Sequence, residues 1–173
     1  LDERGAARWG EPIYSDALAR AAAGDAAYRK RDFIAATAEY QRALDQMQGL
    51  EQTLPERIDA IHSELIVAIE SGEVLGAQAR FAALAEMAPT DIRLIALEER
   101  LLALPAVITA LESASDAESA GDLSAAVAAA RTATGTDPDH KRAAARLSEL
   151  SAKLTQAQFT DAMTAGYGAM AGS

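Results

Sequence analysis

Ser71-Gly72-Glu73-Val74-Leu75-Gly76-Ala77-Gln78-Ala79-Arg80-Phe81-Ala82-Ala83-Leu84-Ala85-Glu86-Met87-Ala88-Pro89 is the stretch that decides the fold. Ser71-Gly72 is a turn signal, and the next fifteen positions hold the good helix formers Ala, Leu, Glu, Arg and Met, with Pro89 as the stop. Val74, Ala77, Phe81 and Leu84 recur at three- and four-residue intervals, the period of one helical face rather than the alternation of a strand. The predicted element is a helix over 73–87, entered from a tight turn.

The same punctuation appears on both sides. Asp32-Phe33 is followed by Ala36, Tyr40 and Ala43; Glu73-Val74 by Ala77, Phe81 and Leu84; Asp122-Leu123 by Ala126, Ala130 and Ala133. Small residues recur where a neighbouring helix must approach closely. Pro12 and Pro55 open helices that precede the first two copies, which gives hairpins over about 12–48 and 55–88. A third hairpin covers about 107–135, and further helices are expected over 139–153 and 156–171. Between Asp91 and Ala120 the apolar residues Leu94, Leu97, Leu101, Leu104, Ile108 and Leu111 keep their three-four spacing through Pro105. One long, kinked helix is therefore expected there despite the roughly 3 kcal/mol cost of an internal proline. No segment shows sustained strand alternation.

Self-similarity at a few tens of residues is the mark of a helical repeat array. Gly72, Ala77, Phe81 and Pro89, and again Gly121, Ala126, Ala133 and Pro138, resemble the second helix of the tetratricopeptide repeat (TPR). The first copy keeps Ala36, Tyr40 and Ala43 but has Arg31 at the turn and Gln48 in place of the closing proline, and Gly24 is the one clear match to the family's first helix. The turns at Arg31, Gly72 and Gly121 lie 41 and 49 residues apart, against a family period of about 34. The copies are thus degenerate and carry inserted helix. Tyr14-Ser15-Asp16-Ala17-Leu18 is echoed by Phe159-Thr160-Asp161-Ala162-Met163, which reads as the first helix of another repeat. The fold class expected is all-α, a single domain over 1–173 formed as an antiparallel helix-hairpin array, a TPR-like α-solenoid with an inserted long helix. Leu1 in place of Met, and a helical pattern running on toward Ser173, read as a part of a longer protein.

Composition narrows the function. A formal net charge of -10 repels phosphate backbones, which argues against nucleic acid and leaves a basic partner open. No apolar run reaches the roughly 20 residues that span a bilayer, so no membrane insertion is expected of this segment. Cysteine is absent, which removes disulfides and thiolate metal sites and leaves cytoplasm and periplasm undistinguished. His62 and His140 have no second histidine at ligand spacing; His140 reads as a first-turn surface residue. Glu98-Glu99, Asp137/Asp139 and Glu112/Asp116 read as solvated carboxylates, and Lys141-Arg142 with Arg146 as solvated cations. Gly166-Tyr167-Gly168-Ala169-Met170-Ala171 fits the dinucleotide glycine pattern but lacks the strand and following helix that pattern needs. No cofactor, metal or catalytic residue is expected, and the chain is read as a non-enzyme.

What remains is binding. Stacked helix pairs form a curved surface suited to a peptide or helix of a partner protein. The resemblance implies that the first helix of each pair lines the concave side, which places Asp25, Tyr28, Arg29, Asp59, His62, Ile66, Ile69, Glu112 and Glu118 near a groove. Many repeats of this family grip a terminal carboxylate with basic residues and asparagine, and this sequence has no asparagine. Apolar and acidic contacts to a protein or peptide partner are expected instead. The other readings are an oligomerising segment of a larger assembly, with a second copy as partner, or a regulatory domain of an enzyme.

Overall fold

The computed structural model describes residues 1–171 and, among them, is entirely helical between turns. The expectation attached to Ser173 lies outside the described residues. A 3-10 turn (Asp2–Arg4) and a short helix α1 (Ala6–Trp9) precede α2 (Ile13–Arg29), α3 (Phe33–Ser71), α4 (Val74–Met87), α5 (Arg93–Ser119), α6 (Leu123–Thr136) and α7 (Lys141–Ala171).

Three turns are built alike. The amide of Asp32 donates to the carbonyl of Ala27, that of Glu73 to Ala68, and that of Asp122 to Ala117; the preceding amides of Arg31, Gly72 and Gly121 donate to Tyr28, Ile69 and Glu118. Each is the paired bond set that closes a helix through a left-handed residue. The left-handed residues are Arg31 (φ 60), Gly72 (φ 84) and Gly121 (φ 81), so the three positions aligned from sequence share one backbone geometry. Glycine adopts it freely, and Arg31 does so at a cost of about 1 kcal/mol. The Asp32 and Asp122 carboxylates then accept from the amides of Ala35 (3.1 Å) and Ala125 (2.8 Å), capping α3 and α6.

Two helices are longer than the sequence reading has them. Pro55 does not open a helix; it sits inside the 39-residue α3. Leu50 and Leu54, in the segment read as a connection, are buried and stay in phase with Ala43 before them and Leu65 after them. Burying two leucines contributes about 1.5–3 kcal/mol each, enough to offset a proline costing about 3 kcal/mol. The separate helices expected over 139–153 and 156–171 are likewise one helix, α7, because Leu147, Leu150 and Leu154 carry the apolar phase past Lys153. Through Pro105 the chain runs as α5 without reversal, as the apolar phase predicts.

Where sequence suggests one domain over 1–173, the chain groups into two compact units, Leu1–Glu64 with Ala79–Leu94, and Leu65–Gln78 with Ile95–Ser173. In the first, Ala6, Tyr14 and Leu50 form a buried cluster edged by Leu1, Trp9 and Met47. In the second, Ala114, Ala126, Val127, Ala130 and Leu150 join α5, α6 and α7, and Val107, Ala110, Ala133 and Ala143 form a second cluster of the same three helices. Alanine-lined contacts let helix axes approach to about 8 Å. Ala36, Ala77 and Ala126, the small residue common to the three copies, are all buried.

Candidate functional site

Within the second unit, α5 and α7 border a groove made of two adjoining clefts of about 410 and 360 Å³ that share Leu111, Ser115 and Arg142. On α5, Ile108, Leu111, Glu112 and Ser115 recur at three- and four-residue spacing, which puts them on one helical face; on α7, Arg142, Ala145, Arg146 and Glu149 do the same. Pairings across the groove advance in step, from Ile108 beside Arg142 to Glu118 with Lys153, so the two helices run in the same direction. Ser71 and Gly72, from the turn between α3 and α4, close one end. Gly72 is needed there for its left-handed φ; a Cβ would only reach ordinary contact with the Ile108 side chain, at 3.4 Å.

The charges along the groove are mostly committed. Arg142 donates its Nη1 to the Ser71 carbonyl (3.2 Å) and its amide to Glu70 Oε2 (3.1 Å). Arg146 pairs with Glu118 and with Glu149 (3.0 Å), and Lys153 bridges Glu118 (2.7 Å) and Glu149 (2.6 Å). Lys153 first, then Arg146, holds the Glu118 and Glu149 carboxyls below their ordinary range. Glu112 is different: it is exposed on the groove wall and makes no ion pair among the described residues. The groove thus offers an apolar floor of Ile108, Leu111 and Ala145 and one uncommitted carboxylate.

Beneath one end of the groove is a buried polar cluster that sequence reading missed. Arg100 on α5 donates Nε to Asp137 Oδ2 (2.9 Å) and Nη2 to Glu70 Oε1 (2.9 Å). Asp137 and His140, both read as surface residues, are 4% and 1% exposed. His140 Nδ1 accepts from the Ala143 amide (3.2 Å), capping α7, which leaves Nε2–H to donate to the Ile69 carbonyl (3.2 Å). Its Nδ1 also lies 3.3 Å from Glu70 Oε2, a contact that becomes attractive only on protonation. Burial pushes the Glu70 carboxyl up, but Arg100 and the backbone amides of Arg142 and Lys141 outweigh it and hold it below the usual range. The donors and acceptors of this cluster satisfy one another, so it fastens the end of α3 and the α6–α7 link to α5.

The other expected site residues scatter. Asp25, Tyr28 and Arg29 are exposed at the end of α2 in the first unit. There Asp25 accepts from the Tyr40 hydroxyl (2.6 Å), and Tyr28 stacks edge-on against Phe33 at 5.5 Å. Asp59 is exposed and pairs with Arg93 (3.0 Å), while His62 and Ile66 are half-buried. Ile69 is fully buried and is withdrawn as a groove residue: it is core, placed by the same phase that buries Leu65 and Ala68. Glu112 lines the groove, and Glu118 braces it through Arg146 and Lys153. The missed lining residues Arg142, Arg146 and Glu149 are visible in the sequence as an i, i+4, i+7 series around Ala145, a polar face with a small apolar centre. Among the described residues no group of three or more metal-ligating side chains converges, and no helix is long and apolar enough to cross a membrane. No family model, curated protein or solved structure matches the chain.

Proposed function

We propose that the chain is a TPR-like interaction module that holds a peptide or helix of a partner protein in the α5–α7 groove. The observation that carries this reading is the groove itself: two helices running in the same direction, with small and apolar residues between them and polar walls on either side. The thrice-repeated turn and the buried alanines support the repeat reading. From Ile108 to Glu118 the helix rises about 15 Å, room for roughly four to five extended residues or just under three turns of partner helix. Glu112 and the net charge of -10 favour a partner with a lysine or arginine beside its apolar contacts. The contact is small, and an affinity in the micromolar range is expected.

The test is capture of partners by wild-type chain and by a blocked groove, Leu111→Glu with Ala145→Glu, with circular dichroism melts run alongside to show that the blocked chain still folds. A partner recovered by wild type and lost by the folded, blocked chain supports the proposal. Partners held equally by both would place the binding surface elsewhere.

A further inference from the structure

Helix α7 has two apolar faces. Ala143, Leu147, Leu150 and Leu154 point toward α5 and α6. At about 100° per residue, Phe159, Met163 and Tyr167 fall on the opposite side of the helix from that core-facing row. They are 60%, 41% and 65% exposed. Gly166 lies on the same stripe, with nothing in the chain within 4 Å of where its Cβ would be. An exposed helical glycine weakens a helix relative to alanine, and intrachain packing gives no reason for it.

Residues 154–171 contain one charged side chain, Asp161, on the face away from the stripe. In a chain of net charge -10, the stripe presents no carboxylate to a second copy. It also offers no handle to a partner selected by charge. The stripe is its own complement. Reversed about Met163, Phe159 falls opposite Tyr167, and Thr160 opposite Gly166, where the missing Cβ lets the helices close.

We propose that two copies of the chain associate through an antiparallel, two-fold pairing of their α7 helices along Phe159, Met163, Gly166 and Tyr167. An isologous contact of this kind uses the same patch on both copies and closes at the dimer. Aromatic side chains bury about 150–250 Å² each, so from their exposed fractions the two stripes together cover on the order of 500–800 Å². That is below the roughly 1,200 Å² where stable interfaces begin, so the dimer is weak, with a dissociation constant of about 10–100 μM. The stripe is separate from the α5–α7 groove, and the pairing does not depend on what that groove holds.

Sedimentation equilibrium of the full chain, from about 5 to 500 μM, reads the association directly. A monomer–dimer equilibrium is expected, weakened at least tenfold by Phe159→Asp. Gly166→Ala is expected to raise helicity and weaken the dimer about tenfold, whereas Gly168→Ala, on the side of the helix away from the stripe, raises helicity and leaves the dimer intact. Because the chain has no cysteine, register is read by oxidation: Met163→Cys links to its own copy, and Phe159→Cys does not. A monomer at all concentrations, species larger than a dimer, equal behaviour of the two glycine variants, or self-linking of Phe159→Cys would each overturn the proposal.

Discussion

Replacing Arg100 with methionine keeps most of the side chain's apolar stem and removes its fork. Asp137 would then be left with a desolvated carboxyl group whose side chain is 3% exposed and whose remaining bond is the one accepted by Oδ1 from the Asp139 amide (3.1 Å). Glu70 would keep its bond from the Arg142 amide. Removing one member of a buried pair costs about 3–5 kcal/mol, because the survivor stays desolvated without its partner. Since both carboxylates retain a backbone donor, the lower end, about 3 kcal/mol, is expected. The double variant Arg100→Met with Asp137→Asn removes the stranded charge and should recover about 1.5–2 kcal/mol of that loss. Urea denaturation followed by circular dichroism measures both. A single-variant loss below about 1 kcal/mol, or strict additivity in the cycle, would refute the reasoning. The same cluster fixes an acid limb. Glu70 is held below its unfolded value near 4.3, so its contribution is complete above that value and disappears as pH falls through the lower folded one. Stability should therefore fall with acid more steeply in wild type than in Arg100→Met.

Three further outcomes follow from the turns and one close approach. Arg31→Gly removes a left-handed non-glycine residue and should stabilise the first unit by about 1 kcal/mol in chemical denaturation; a loss would show that the Arg31 side chain contributes more than its backbone costs. Asp122→Ala deletes the cap on α6 and should cost about 1 kcal/mol, with Asp122→Asn largely restoring it. Gly24→Ala, a substitution that favours helix by about 1 kcal/mol in the open, should instead destabilise, because its Cβ would meet the Tyr40 ring at 2.7 Å; a higher melting temperature would show that the ring yields freely.

The turns were the most legible part of the sequence. Gly72 and Gly121, and Arg31 by alignment, mark three reversals with one hydrogen-bond pattern, because local chemistry alone sets them. Helix lengths were legible where apolar phase was followed and misread where punctuation was. The argument that carries α5 through Pro105 applies equally at Pro55, where Ala43, Leu50, Leu54, Ile58, Ile61 and Leu65 keep one phase. What sequence could not supply was the buried cluster. Arg100 lies 30 residues from Glu70 and 37 from Asp137, and nothing in the spacing of these residues distinguishes them from solvated charges. The groove was half legible: Glu112 on α5 was expected, while the α7 wall, Arg142, Arg146 and Glu149, looked like an ordinary charged face.

The three closed turns also bear on how the chain acquires its structure. Each reversal spans only a few residues, so the helices it joins are neighbours along the chain, and bringing them together costs little loop entropy. Chains dominated by such near-neighbour contacts fold quickly, and their pieces can condense in order as they leave the ribosome. The turns are unequal starting points. The one at Gly121 combines an unstrained glycine with the Asp122 cap and opens into an alanine-rich helix. The one at Arg31 works against its own backbone. Nucleation is therefore favoured at the later hairpin, and the earlier one, synthesised first, gains most by consolidating afterwards.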